Sequence, residues 1–141
     1  MSESFTIRDY TIQDYPKTKV VLEEGGLFYD LMDSEERMSE KITRDPESIL
    51  VATVDDQIVG TVSIMEDGRM PFIFRLAVRE DHRGKGISLK LMEEAEKRLR
   101  DRGYTEVNIL VDERDEELKD YYKKQCYEEG NLYRWLYKEI K

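Results

Sequence analysis

Hydrophobic and polar positions along the chain change period several times, and each change predicts a new element. A short apolar and β-branched run, Phe5-Thr6-Ile7, opens as a strand. Asp14 and Pro16 then suit the start of a helix that continues through Val20, Val21 and Leu22 until Gly25-Gly26 stops it. Asp33 followed by Glu36 resembles a capping box, and Met38 with Ile42 repeats at helical spacing, which predicts a second short helix ending at Asp45-Pro46. The runs SILVATV and QIVGTVSI flank Asp55-Asp56 and read as an antiparallel hairpin. FIFRLAV, residues 72–78, reads as a mostly buried strand.

A basic, glycine-bearing turn follows, and from it Ile87, Leu91, Ala95 and Leu99 recur every fourth residue with Met92 widening the stripe. That is the pattern of an amphipathic helix, closed by Gly103 after Arg98, Arg100 and Arg102. TEVNILV, residues 105–111, alternates as a strand, so the middle of the chain is β, about four turns of α, then β. Such a unit places its strands in parallel through a right-handed crossover. A further helix is expected over about Glu116 to Gln125. NLYRWLYKEI puts Tyr133, Trp135 and Tyr137 on one side and Leu132, Arg134, Leu136 and Lys138 on the other, a terminal strand reached through Glu129-Gly130-Asn131.

Composition narrows the class. The 141 residues, 39% hydrophobic and 39% charged, hold one core, and no linker-like stretch divides them, so residues 1–141 are read as a single domain. No window approaches the roughly 18–20 apolar residues of a membrane span, and MSESFTIRDY lacks a secretory pattern, so a soluble, cytoplasmic protein is expected, with no membrane partner. Cys126 is the only cysteine and His82 the only histidine, so no internal disulfide and no Cys/His metal cluster is expected. A net charge of -9 disfavours nucleic acid and anionic membranes and attracts amines. The charge run Glu93 to Arg98 reads as a solvated helix face, Met32, Met38 and Met65 as core filling, and the aromatic tail as sheet packing or the face of a homodimer.

Against that acidic background, Arg79, His82, Arg83 and Lys85 gather around Gly84 and Gly86 where the long helix begins. A helix N-terminus leaves about four main-chain NH groups unpartnered and carries roughly half a positive charge. Glycines let an anion approach that main chain closely, and the basic side chains add charge, so the expected guest bears phosphate. GKGISLK, residues 84–90, does not fit a Walker loop, and Leu89 stands where a dinucleotide loop needs its third glycine.

The stretch VREDHRGKGIS, after a strand and before a long helix, resembles the acyl-CoA loop of the GNAT N-acetyltransferase superfamily, Arg/Gln-x-x-Gly-x-Gly/Ala, with Arg83, Gly86 and Ser88 in its three named places. The resemblance covers nearly the whole chain. It implies an α/β (α+β) fold of GNAT type: a mixed, mostly antiparallel sheet, a central β-loop-α-β acyl-CoA unit and flanking helices. It also implies acetyl-CoA as acyl donor, direct attack by an amine, and no metal. Cofactor contacts fall on Leu76, Ala77 and Val78 along the strand and on Arg83, Gly84, Lys85, Gly86, Ile87 and Ser88 in the loop. DEELKDYYKKQCYEE is similar to the family's Asn-x-x-Ala-x-x-Leu-Tyr-x-x-x-Gly-Phe, which sets Asp115 at the Asn beside CoA, Cys126 at the Gly and Tyr122 at the Tyr. Tyr122 is thereby the candidate general acid for the departing thiolate.

Family positions for a general base fall on Phe72 and Leu110, which cannot take a proton. Glu66, Asp67, Glu113 or a water chain remain as alternatives. The expected activity is N-acetylation of a small cationic amine or a lysine-bearing protein. A non-catalytic acyl-CoA-binding module and a protein N-terminal acetyltransferase are the alternatives.

Overall fold

The computed structural model describes residues 4–141, which divide into two compact units, one through Ile109 and the other from Leu110. The first carries an antiparallel sheet of four strands in the order β1 (Thr6–Asp9), β2 (Ile49–Val54), β3 (Gln57–Glu66) and β4 (Pro71–Val78). Helices α1 (Tyr15–Glu24), α2 (Asp30–Asp33) and α3 (Glu35–Arg44) lie between β1 and β2, and α4 (Ile87–Asp101) follows β4. The second unit holds α5 (Glu116–Lys123).

β2 is buried at every position because both faces of the sheet are covered, which is why its sequence is apolar without alternation. On one face, Ile49, Val51 and Ile58 pack with Val21 and Leu22 of α1, Met38 of α3, and Tyr10. On the other, Ile87, Leu91, Met92, Ala95 and Leu99 of α4 are all buried. Gly60 of β3 makes the second contact possible. A Cβ there would lie 3.0 Å from Leu91 Cδ1 and 3.3 Å from the Ala77 carbonyl oxygen.

The hairpin turns through Asp55 (φ 49°) and Asp56 (φ 63°), the paired positive φ values of a two-residue turn whose twist matches the strands. The second helix is corrected in one respect. Its cap is Ser34, whose hydroxyl accepts the Arg37 amide at 3.2 Å, while Asp33 ends the separate turn α2 with its side chain buried. Of the methionines read as core, Met38 is buried, whereas Met32 and Met65 are half exposed.

Two expected strands differ more. Residues 105–111 form a single parallel bridge, Phe72 to Asn108, in which the Ile73 amide donates to the Asn108 carbonyl and the Asn108 amide to the Pro71 carbonyl, both at 3.0 Å. Residues 131–140 form no ladder among the described residues, and Leu132, Tyr133, Trp135, Leu136 and Tyr137 are exposed. Alternation selects which side chains share a face, but a strand exists only through hydrogen bonds to a neighbour, which local sequence does not specify. Among the described residues, no helix is long and apolar enough to cross a membrane.

Candidate functional site

The ladder between β3 and β4 runs to Gly60 and Val78, and the Arg79 amide extends it by donating to the Val59 carbonyl at 2.8 Å. A 3-10 turn over Glu80–His82 then reverses the chain. Arg83 folds back so that its Nε donates to the Val78 carbonyl at 3.0 Å, which pins the turn to the strand it leaves. The carboxylate of Glu24, at the end of α1, pairs with Arg79 at 2.8 Å and accepts the Glu80 amide at 3.2 Å. His82 lies 2.9 Å from Asp81, whose carboxyl is held below its usual range by that contact.

Gly84 (φ 76°) and Gly86 (φ 83°) take the left-handed backbone that side chains disfavour, and a Cβ on either would meet nothing within 4 Å. Gly86 caps α4, whose first main-chain hydrogen bond runs from the Lys90 amide to the Gly86 carbonyl at 3.1 Å. The amides of Gly84, Gly86, Ile87 and Leu89 reach no main-chain carbonyl among the described residues. The helix dipole points its positive end the same way. The turn thus sets these amides at the positive end of the α4 dipole, next in the chain to Arg83 and Lys85.

Leu76, Ala77 and Val78 lie at the end of β4 that feeds this loop, so the strand and loop residues proposed to hold acyl-CoA are contiguous. Just before them β4 is irregular. Thr61 faces Ala77 and Ser63 faces Phe74, so the single residue Val62 stands opposite both Arg75 and Leu76. This is a β-bulge, and its first residue, Arg75, has φ 58°. Sequence reading missed the bulge. Its one local signal was an arginine inside an otherwise apolar strand.

In the second unit, Asp115 caps α5, its carboxylate accepting the Leu118 amide at 3.0 Å. Tyr122 is half-buried between Tyr121 and Tyr127, with ring centroids 5.1 and 5.5 Å away in edge-on arrangements. Burial, helped by Tyr121, pushes the Tyr122 phenol up to about 12, so it remains protonated at neutral pH. Cys126 closes the segment at φ 70°, a glycine-like backbone at the place of the family's glycine.

The acids considered as bases all have partners. Glu66 accepts from the Tyr104 hydroxyl and faces Arg102 at 3.7 Å. Asp67 accepts the Arg69 and Met70 amides at 2.9 Å, and Glu113 pairs with Lys119 at 3.5 Å. Among the described residues, no three His, Cys, Asp or Glu side chains are grouped to hold a metal.

Residues 8–126 match the Acetyltransferase (GNAT) family. An acetyltransferase of Yersinia pestis (strain Pestoides F) is 34% identical over 122 residues, 86% of each chain, and one of Pectobacterium atrosepticum is 32% identical over the same share. In fold, the chain is similar to glucosamine-6-phosphate N-acetyltransferase from Arabidopsis thaliana, with a TM-score of 0.80 at 22% identity over 97% of this chain and 100% of that one. It is also similar to the PaiA N-acetyltransferase of Thermoplasma acidophilum solved with coenzyme A, with a TM-score of 0.76 at 22% identity over 86% and 88% of the two chains. With the loop, the sheet and these relatives in agreement, the chain belongs to the GNAT family and is an N-acetyltransferase.

Proposed function

We propose that the protein transfers the acetyl group of acetyl-CoA to a primary amine carried by a small cationic molecule or a lysine side chain. One observation carries the reading: two left-handed glycines, Gly84 and Gly86, precede a 15-residue helix beside Arg83 and Lys85, and the amides of Gly84, Gly86 and Ile87 reach no main-chain carbonyl among the described residues. The CoA pyrophosphate would lie on the amides of Gly84, Gly86 and Ile87, beside the side chains of Arg83, Lys85 and Ser88, and the pantetheine arm would run along the main chain of Leu76, Ala77 and Val78. Asp115 stands at the family's asparagine position, and one of its oxygens caps α5.

The amine nitrogen forms a bond to the acetyl carbon as the carbon–sulfur bond breaks. The thiolate gains one proton, which Tyr122 supplies as a neutral phenol, and the nitrogen loses one. Glu66, Asp67 and Glu113 are engaged by their own partners, so water carries that second proton away. A net charge of -9 favours a cationic acceptor, and the exposed Tyr29, Leu31 and Met32, with Asp30 among them, suit an alkyl chain ending in an amine. Use of acetyl-CoA as donor would suit action in the cytoplasm.

The test is release of free CoA thiol from acetyl-CoA across a panel of polyamines, small amines and lysine peptides. At least one amine should give thiol and acetylated product in equal amounts. Binding of CoA with no release on any amine would overturn the reading. Tyr122→Phe should lower kcat by roughly 10²-fold or more, the usual contribution of a positioned acid, with little change in acetyl-CoA affinity. Full activity in that variant would remove Tyr122 from the mechanism.

A further inference from the structure

Arg75 occupies the first position of the β4 bulge at φ 58°, a place where glycine is the usual residue. A side chain in that backbone persists only where its surroundings over-determine it. Here Arg75 Nε donates to Asp33 Oδ1 at 3.0 Å, and Nη2 lies 3.4 Å from the Met32 sulfur. Asp33 is 6% exposed and 42 residues away in sequence. Its other carboxylate oxygen accepts the Tyr29 amide at 2.9 Å, and its main-chain carbonyl accepts the Tyr15 hydroxyl at 3.0 Å. One buried residue thus ties α1, α2 and the bulge together, its carboxylate holding the Tyr29 amide and Arg75 and its main-chain carbonyl holding Tyr15.

A buried ion pair contributes little net stability, because desolvating both charges offsets most of their attraction. What this pair adds is a backbone conformation. We propose that Asp33 and Arg75 are positioning residues that hold the bulge, and so fix where the main-chain groups of Leu76, Ala77 and Val78 meet the acyl donor. The inference rests on the acetyl-transfer reading. It also makes turnover depend on the segment that presents Tyr29, Leu31 and Met32, so that segment and the acyl-bearing strand are set by one contact.

The decisive variants are Arg75→Gly, Asp33→Asn and Arg75→Lys. Arg75→Gly removes the tether and also the steric conflict at φ 58°, so the fold is retained. Its kcat should fall roughly 10- to 100-fold, the scale of a misplaced reacting group, while the KM for acetyl-CoA stays within about twofold because the glycine loop is untouched. Asp33→Asn, nearly isosteric, should move kcat in the same direction by less, and Arg75→Lys should recover part of what Arg75→Gly loses. Hydrogen exchange at residues 74–78 should quicken about tenfold in Arg75→Gly and Asp33→Asn.

Unchanged kcat and exchange in these two variants would overturn the proposal, as would a loss of activity that merely follows the folded fraction. Should the unmodified protein release no thiol with any amine, the acetyl-transfer reading fails by itself. The exchange comparison would still decide whether the pair holds the bulge.

Discussion

Asp55, Asp56, Arg75 and Cys126 are the described residues other than glycine with a positive φ, and each reaches that state differently. The aspartates have short polar side chains that tolerate it in a hairpin turn. Arg75 is held by Asp33. Cys126 is exposed and sits in the turn after α5, where its amide donates to the Lys123 carbonyl at 3.0 Å and the Tyr127 amide to the Tyr122 carbonyl at 3.1 Å. The helix end imposes the conformation, and the thiol adds nothing to it. Cys126→Gly relieves about 1–2 kcal/mol of steric strain and adds about 0.5–1 kcal/mol of lost chain entropy. The expected result is a net gain of about 0.5–1 kcal/mol, read as a rise of a few degrees in Tm. An unchanged or lower Tm would show that the turn already accommodates the side chain. Tyr122 is marked in the sequence by its place in a family motif, and the structure adds its half-buried setting between two tyrosines. The bulge at Arg75 was not legible, because the group that enforces it lies 42 residues upstream.

At the scale of elements, α4 was the most legible, because its period, its glycine opening and its stop at Gly103 (φ 97°) are all local properties. Its arginines were read only as favourable charges at a helix end. The structure gives two of them definite partners. Arg102 grips Asp45 with contacts of 2.7 and 3.0 Å, and Arg98 reaches Asp9 and the Glu47 carbonyl, anchoring the helix to β1 and to the loop before β2. The opposite end must lie close to the sheet to aim its first turn, and Gly60 permits this. Gly60→Val should destabilise the protein by about 1–3 kcal/mol through overpacking against Leu91, Ile87 and the Ala77 carbonyl. Urea unfolding measures it directly. A midpoint unchanged from the parent protein would mean that α4 does not rest on that surface. The strand expected over residues 105–111 was only partly realised for the reason that makes strands harder to read than helices: helix hydrogen bonds close within four residues, whereas ladder bonds need a second segment.

For the molecule as a whole, acid stability follows from a few carboxylates. Asp14 is held below its usual value near 3.8 chiefly by its hydrogen bond to Arg8, and Asp45 likewise by Arg102. A carboxylate whose folded pKa is depressed contributes stability that is fully present above the unfolded pKa and is lost as pH falls through the folded one. Tm should therefore decline as pH drops from about 5 to 3, and the decline should be shallower in Asp14→Asn and Asp45→Asn. An equal slope in both variants would place the acid sensitivity elsewhere.

The order and kind of most elements, the hairpin at Asp55-Asp56, the glycine-bearing turn before α4 and the family were determined by sequence alone, because periodicity and backbone sterics act within a few residues. Only the tertiary structure decided which acid meets which base, where β4 bulges, and which alternating runs find a partner. Those outcomes depend on contacts between residues far apart in the chain. Their free energies belong to the packed assembly and have no counterpart in any single segment.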